Sequence, residues 1–89
     1  MIDMEEYKII ATTLTDAEQT IYTNSNGMII KSILLQATTT NKQATLKFDG
    51  VAFNFNLNEE TTIISTPIMT KSIKASGTGI NLHITALQL

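Results

Sequence analysis

The side chain best suited to chemistry in this sequence is His83, which is the only histidine among the 89 residues. An imidazole ligates metal ions and acts as a general acid or base near neutral pH. Zinc sites and catalytic triads need companions, such as further histidines, cysteines or a serine in a nucleophile elbow. The chain has no cysteine, and none of its serines lies in a Gly-x-Ser-x-Gly sequence. We therefore expect no enzymatic activity, no cofactor and no metal site.

The acidic and glycine-rich segments do not change this expectation. The eight carboxylates are scattered and show no Asp-x-Asp-x-Asp spacing of a calcium loop. Gly77-Thr78-Gly79 resembles the opening of a phosphate-binding loop, but the rest of a Gly-x-Gly-x-x-Gly sequence does not follow it. The sequence predicts a turn at this position.

Charge and aromatic content bear on the class of partner. Six lysines, no arginine and a net charge of -2 give no basic patch for nucleic acid. The chain has no tryptophan, and its three phenylalanines share an alternating position with aliphatic residues, which predicts that their rings lie in the core. No apolar run approaches the roughly 20 residues of a membrane span. We expect neither a nucleic acid nor a membrane as partner.

Composition favours extended chain over helix. The sequence contains 15 threonines and 13 isoleucines, and residues branched at Cβ are enriched in strands. A chain of this length forms one domain with a modest core. The sequence therefore predicts a single all-β domain over residues 1–89, in which residues 1–13 form an N-terminal arm or the first strand.

The clearest element is a β-hairpin around Asp49-Gly50. Apolar and polar residues alternate over residues 43–48 and again over residues 51–57, and Asp-Gly between two such runs is a strong hairpin signal. With a two-residue loop, Phe48 faces Val51, Leu46 faces Phe53 and Ala44 faces Phe55. All of these apolar side chains then lie on one face, and a four-residue loop would keep them on that face too.

Two further runs differ in how clearly they alternate. Ile80, Leu82, Ile84 and Ala86 alternate with polar residues, which predicts a last strand that faces the core. The stretch 28–37 is apolar at both odd and even positions, so either a bulge shifts its register or both of its faces are covered.

Weaker strand signals complete the pattern. They lie at residues 7–13, 19–23, 61–66 and 72–76, and Asn24-Ser25-Asn26-Gly27 predicts a turn between the second and third strands. About seven to eight short strands predict a small antiparallel β-sandwich or a jelly-roll-like module.

The predicted surface points to association. Outward positions carry threonine, asparagine, glutamine and serine rather than the charges that discourage pairing between strand edges. Several apolar residues lie near the termini or outside the clean alternation, where a partner subunit could bury them. These candidate interface residues are Ile2, Met4, Met28, Ile30, Leu87 and Leu89. We expect a homo-oligomer, with a trimer favoured.

The order of segments resembles a class of proteins. The segment 21–35 leads to a threonine-rich loop, the segment 44–50 and the closing Gly79-Ile80-Asn81-Leu82-His83-Ile84. Over roughly residues 14–89 this order is similar to that of small β-sandwich structural proteins of tailed bacteriophages, found as capsid decoration, head-fibre or tail components. The segment Thr70-Lys71 departs from the small polar pattern that is common in that class.

The resemblance implies a function and a location. It implies a non-enzymatic virion component, made in the cytoplasm of the host bacterium, which binds copies of itself and other virion proteins. The alternative hypothesis is a module that recognises a host glycan or receptor. That alternative requires Tyr7, Tyr22, Asn54 and Asn56 to converge on one concave surface.

Overall fold

The computed structural model describes residues 6–38, 42–58 and 61–89. The described residues form an all-β antiparallel fold, as the composition predicts, and none of them lies in a helix. Accordingly, the described part of the chain has no helix that could cross a membrane. The strands are β1 (Glu6–Thr13), β2 (Gln19–Ala37), β3 (Lys42–Phe48), β4 (Val51–Leu57), β5 (Thr61–Ile64), β6 (Ile68–Ser76) and β7 (Ile80–Gln88).

All seven strands belong to one hydrogen-bonded sheet. The order is β1-β7-β2-β6-β3-β4, and β5 pairs with the last part of β2. Both β5 and β6 bond to the same long strand, with Ile64 opposite Ile33 and Ile68 opposite Ile30. The segment that joins β5 to β6 contains Pro67, which has no N–H to donate to a ladder. The two outermost strands in this order are β1 and β4.

The predicted hairpin is confirmed with its register. Phe48 pairs with Val51, Leu46 with Phe53 and Ala44 with Phe55. The turn residues Asp49 and Gly50 have φ angles of 53° and 83°, as a type I′ turn requires. Aspartate and glycine are among the residues that adopt these angles most easily.

The prediction that a turn at residues 24–27 separates two strands is wrong, because both predicted strands belong to the single strand β2. Thr23 pairs with Ser72 and Met28 with Thr70, so the residues between them form a bulge in the ladder. The Asn24 side chain closes this bulge by donating to the carbonyl of Gly27 at 2.9 Å. The turn residues are therefore accommodated within a strand, and the described chain has seven strands, within the predicted seven to eight.

A second bulge explains the mixed alternation of residues 28–37. The ladder between β2 and β7 shifts register between Ile30 and Ser32. Before the shift Met28 and Ile30 are buried, and after it Ile33 and Leu35 are buried. The first of the two predicted explanations, a shifted register, is thus confirmed.

The core is one cluster on the inner face of the sheet. A flat single-layered sheet leaves the side chains of both faces in solvent. Here the core residues are only 0–3% exposed, so the sheet must curl over its own inner face. The predicted last strand is confirmed, since all four of its alternating apolar residues are buried. The core residues are Leu14, Met28, Ile30, Ile33, Leu35, Ala37, Ala44, Leu46, Leu57, Ile73, Ala75, Ile80, Leu82, Ile84 and Ala86.

The prediction that all three phenylalanine rings are core is wrong. Phe53 is 49% exposed, and Phe48 and Phe55 are half-buried at the margin of the core. These rings do share the inner face of the hairpin, as predicted. Phe53 and Phe55 remain accessible because they lie on β4, which is an outermost strand of the sheet.

Candidate functional site

An open apolar groove lies between β4 and the junction of β5 with β6. Its volume is about 650 Å³. Apart from Asp49, every side chain that lines it is apolar, and Val51, Phe53 and Met69 are 58%, 49% and 70% exposed. We call this surface the β4 groove. It is lined by Phe48, Asp49, Val51, Phe53, Phe55, Ile64, Ile68 and Met69.

The alternation of the hairpin creates one wall of the β4 groove. Odd-numbered residues of β4 lie on the same face as the buried Ala44 and Leu46 of β3, because directly opposed residues of an antiparallel ladder share a face. The rings of Phe48 and Phe53 pack with their centroids 5.8 Å apart and their planes tilted by 51°. This wall is therefore a packed aromatic surface rather than a set of isolated side chains.

The single carboxylate of the groove holds the hairpin tip on β6. Oδ1 of Asp49 accepts a hydrogen bond of 2.9 Å from the main-chain N–H of Lys71. The main-chain N–H of Asp49 donates to the carbonyl of Ser72 at 3.1 Å. The first of these bonds holds the pKa of Asp49 below its ordinary value, because an N–H donor favours the charged carboxylate. Asp49 thus has a structural role in this groove.

The edge of β4 beside the groove carries no charged side chain. Within the described ranges, the only strand that pairs with β4 is β3, so backbone groups along one side of β4 lack a ladder partner. The other outermost strand differs, because β1 carries Lys8, whose Nζ lies 5.4 Å from the centre of the Tyr22 ring. Charged residues on an edge strand oppose pairing with another chain. Of the edges of β1 and β4, that of β4 is the less protected.

A second groove, on the opposite face of β1, β7 and β2, contains His83. It has a volume of about 490 Å³, and no carboxylate lines it. Nδ1 of His83 is buried and has no hydrogen-bond partner among the described residues. Nearby, Oγ1 of Thr13 donates to Oδ1 of Asn81 at 2.8 Å. The residues that the structure describes contain no group of three or more potential metal ligands.

The six predicted interface residues have different positions. Ile2 and Met4 lie outside the described residues. Met28 and Ile30 lie in the core of the single chain, with exposures of 0% and 1%. Leu87 is half-buried and Leu89 is 48% exposed.

The sequence interpretation missed the residues that are most exposed in the β4 groove. Val51 and Phe53 show ordinary strand alternation, which does not distinguish an inner strand from an outermost one, and Met69 lies outside the predicted strands. The four residues of the alternative glycan hypothesis line neither of the two grooves described above. Tyr22 is half-buried, and its hydroxyl group is hydrogen-bonded to the side chain of Gln88.

Comparison with models of known protein families and with curated proteins finds no match to this chain.

Proposed function

We propose that this chain is a non-enzymatic structural protein of a tailed-bacteriophage particle, which binds copies of itself and other virion proteins. The observation that carries the self-association is the β4 groove, in which Val51, Phe53 and Met69 are about half exposed or more. Contiguous exposed apolar surface in a soluble domain usually marks an interaction site. The assignment to a bacteriophage rests on the sequence resemblance.

The chemistry of the groove favours association over catalysis. Seven of its eight lining residues are apolar, and the remaining one, Asp49, is engaged with the backbone of β6. Removing apolar surface from water contributes about 25 cal/mol per Å². Aromatic side chains in the centre of an interface often carry much of the binding energy. Phe53 has the position and the exposure for this role.

The association can be tested by light scattering coupled to size-exclusion chromatography over a range of protein concentrations. We expect the wild type to form an oligomer and Phe53→Asn to raise its dissociation constant about tenfold or more. Ile63→Asn is the matched control, since Ile63 is 65% exposed but does not line the β4 groove. A wild type that stays monomeric at the highest concentration, or equal effects of the two variants, would contradict the proposal.

The assignment to a virion has its own test. Peptides of this chain should be found by mass spectrometry in purified particles of the phage that encodes it, at a copy number typical of a structural component. Its gene should also lie beside genes for a portal, a major capsid protein or a tail tape measure. Absence of the chain from the particles would remove the virion assignment and leave the self-association to be judged separately.

A further inference from the structure

We propose that two copies of this chain pair through their β4 strands, antiparallel and centred on Asn54, so that their sheets join into one. This inference rests on the proposed function, because it names the partner and the geometry of the same surface. The contact has twofold symmetry, so it builds a dimer or an assembly with an even number of chains. It therefore differs from the trimer that the sequence interpretation favours.

The hairpin geometry determines which backbone groups of β4 are available. In a two-residue turn, the flanking pair Phe48 and Val51 exchanges both hydrogen bonds, and such pairs then alternate along the ladder. The odd-numbered residues of β4 therefore bond to β3. The N–H and C=O groups of Ala52, Asn54 and Asn56 point away from β3, towards the side on which no described strand pairs.

The side chains of β4 are complementary to a second copy of β4 about Asn54. When Asn54 faces Asn54 of the second copy, Phe53 faces Phe55 of that copy, and Ala52 faces its Asn56. The two phenylalanine pairs lie at positions without mutual hydrogen bonds, where side chains are closest. Aromatic cross-strand pairs at such positions stabilise antiparallel ladders. A strand from another protein has no inherent reason to match this pattern, whereas a second copy matches it by symmetry.

Charge also selects β4 as the edge that self-associates. Its seven residues, Val51–Leu57, contain no charged side chain, so two copies meet without repulsion. The edge of β1 carries Lys8 close to the Tyr22 ring, and β5 has only four residues. Charged and short edge strands are both ways in which proteins prevent edge-to-edge pairing.

Pairing at this edge also covers the apolar surface next to it. The odd-numbered side chains of the added strand lie on the groove face, because opposed residues of a ladder share a face. Phe53 and Phe55 of the second copy thus extend the aromatic wall formed by Phe48 and Phe53. The same contact satisfies the backbone groups of the edge and reduces the exposure of the rings.

Single cysteines test the register, since the wild-type chain has none. We expect Asn54→Cys to form a disulfide-linked dimer under mild oxidation, because facing Cα atoms in such a pair lie about 5.5 Å apart and disulfides span roughly 4.4–6.8 Å. Ala52→Cys and Asn56→Cys are matched controls on the same edge. Alone, neither should cross-link, since each residue lies about 14 Å from its own counterpart. A mixture of these two variants should form the mixed dimer.

The outcomes separate this inference from the proposed function. Cross-linking of Asn54→Cys together with the mixed pair, and of neither control alone, supports the β4 contact. If light scattering shows an oligomer but Asn54→Cys does not cross-link, or if all three variants cross-link equally alone, the β4 register is wrong and self-association still stands. If the protein is monomeric throughout, both the inference and the proposed self-association fail.

Discussion

Leu46 and Phe53 face each other in the ladder between β3 and β4, yet Leu46 is 0% exposed and Phe53 is 49% exposed. The two side chains lie on the same face of the sheet, on neighbouring strands. β3 has β6 on its other side, whereas β4 is outermost. A single cross-strand pair thus joins the core of the domain to its candidate interface.

This difference predicts unequal effects of truncation on the stability of the monomer. Leu46→Ala should lower the free energy of unfolding by about 2–5 kcal/mol, because it leaves a cavity in a packed core. Phe53→Ala should lower it by about 1 kcal/mol or less, because the ring is largely in solvent. Urea unfolding at a concentration where the protein is monomeric measures both values. Similar losses in the two variants would show that Phe53 is part of the monomer's core.

Two glycines with positive φ should differ in their tolerance of a side chain. A Cβ at Gly77 would lie 2.9 Å from Cδ1 of Ile80 and 3.0 Å from the carbonyl oxygen of Gln43, whereas a Cβ at Gly50 meets nothing within 4 Å. Gly77→Ala should therefore cost about 3 kcal/mol or more, from overpacking added to backbone strain. Gly50→Ala should cost about 1 kcal/mol, from strain alone. Thermal unfolding followed by circular dichroism compares the two, and equal melting temperatures would contradict the expectation.

The hydrogen bond from Lys71 to Asp49 predicts a dependence of stability on pH. The pKa of Asp49 in the folded chain lies below its ordinary value of 3.8. A carboxyl group with a lowered folded-state pKa stabilises the fold above the unfolded-state value, and this contribution is lost as the pH falls through the folded-state pKa. Asp49→Asn should therefore weaken the loss of stability below about pH 4.

Asparagine suits this test because it also tolerates the positive φ of the turn. Asp16→Asn, which removes an exposed carboxylate from the loop between β1 and β2, is the charge-matched control. Denaturant titrations at several pH values from about 6 down to about 2 follow this loss of stability. If Asp49→Asn and the control change the pH profile equally, the bond from Lys71 is not its source.

In contrast to the truncations above, a substitution of His83 should not lower the stability of the fold. Its Nδ1 is buried without a hydrogen-bond partner among the described residues, and a buried polar atom in this state costs stability. His83→Leu should leave the free energy of unfolding unchanged or raise it by about 1 kcal/mol. Equilibrium unfolding at neutral pH provides the value. A substantial loss of stability in this variant would show that the imidazole has a favourable interaction.

Local alternation was sufficient to predict several elements of this fold. The Asp49-Gly50 turn fixed the register of β3 with β4, because a two-residue loop permits one pairing only. The last strand was equally clear, since its apolar residues occupy every second position and all are buried. These features depend on residues that are close in the sequence.

Features that depend on strands far apart in the sequence cannot be predicted from local alternation. The exposure of Phe53 follows from the position of β4 in the strand order, which alternation does not encode. The segment from Asn24 to Gly27 has the composition of a turn. It remains within β2 as a bulge because the residues before it and after it both pair with β6. The candidate site was missed for the first of these reasons, since its residues look like core residues in the sequence.

The shift of register between Ile30 and Ser32 has a consequence for how this sequence can change. Side chains alternate with a period of two, so inserting or losing one residue at this point would send Ile33 and Leu35 outward and bring Leu34 and Gln36 inward. Substitutions at Lys31, which is exposed, leave the alternation of the following residues unchanged. At this site the number of residues is therefore under stricter constraint than the identity of the residue at position 31.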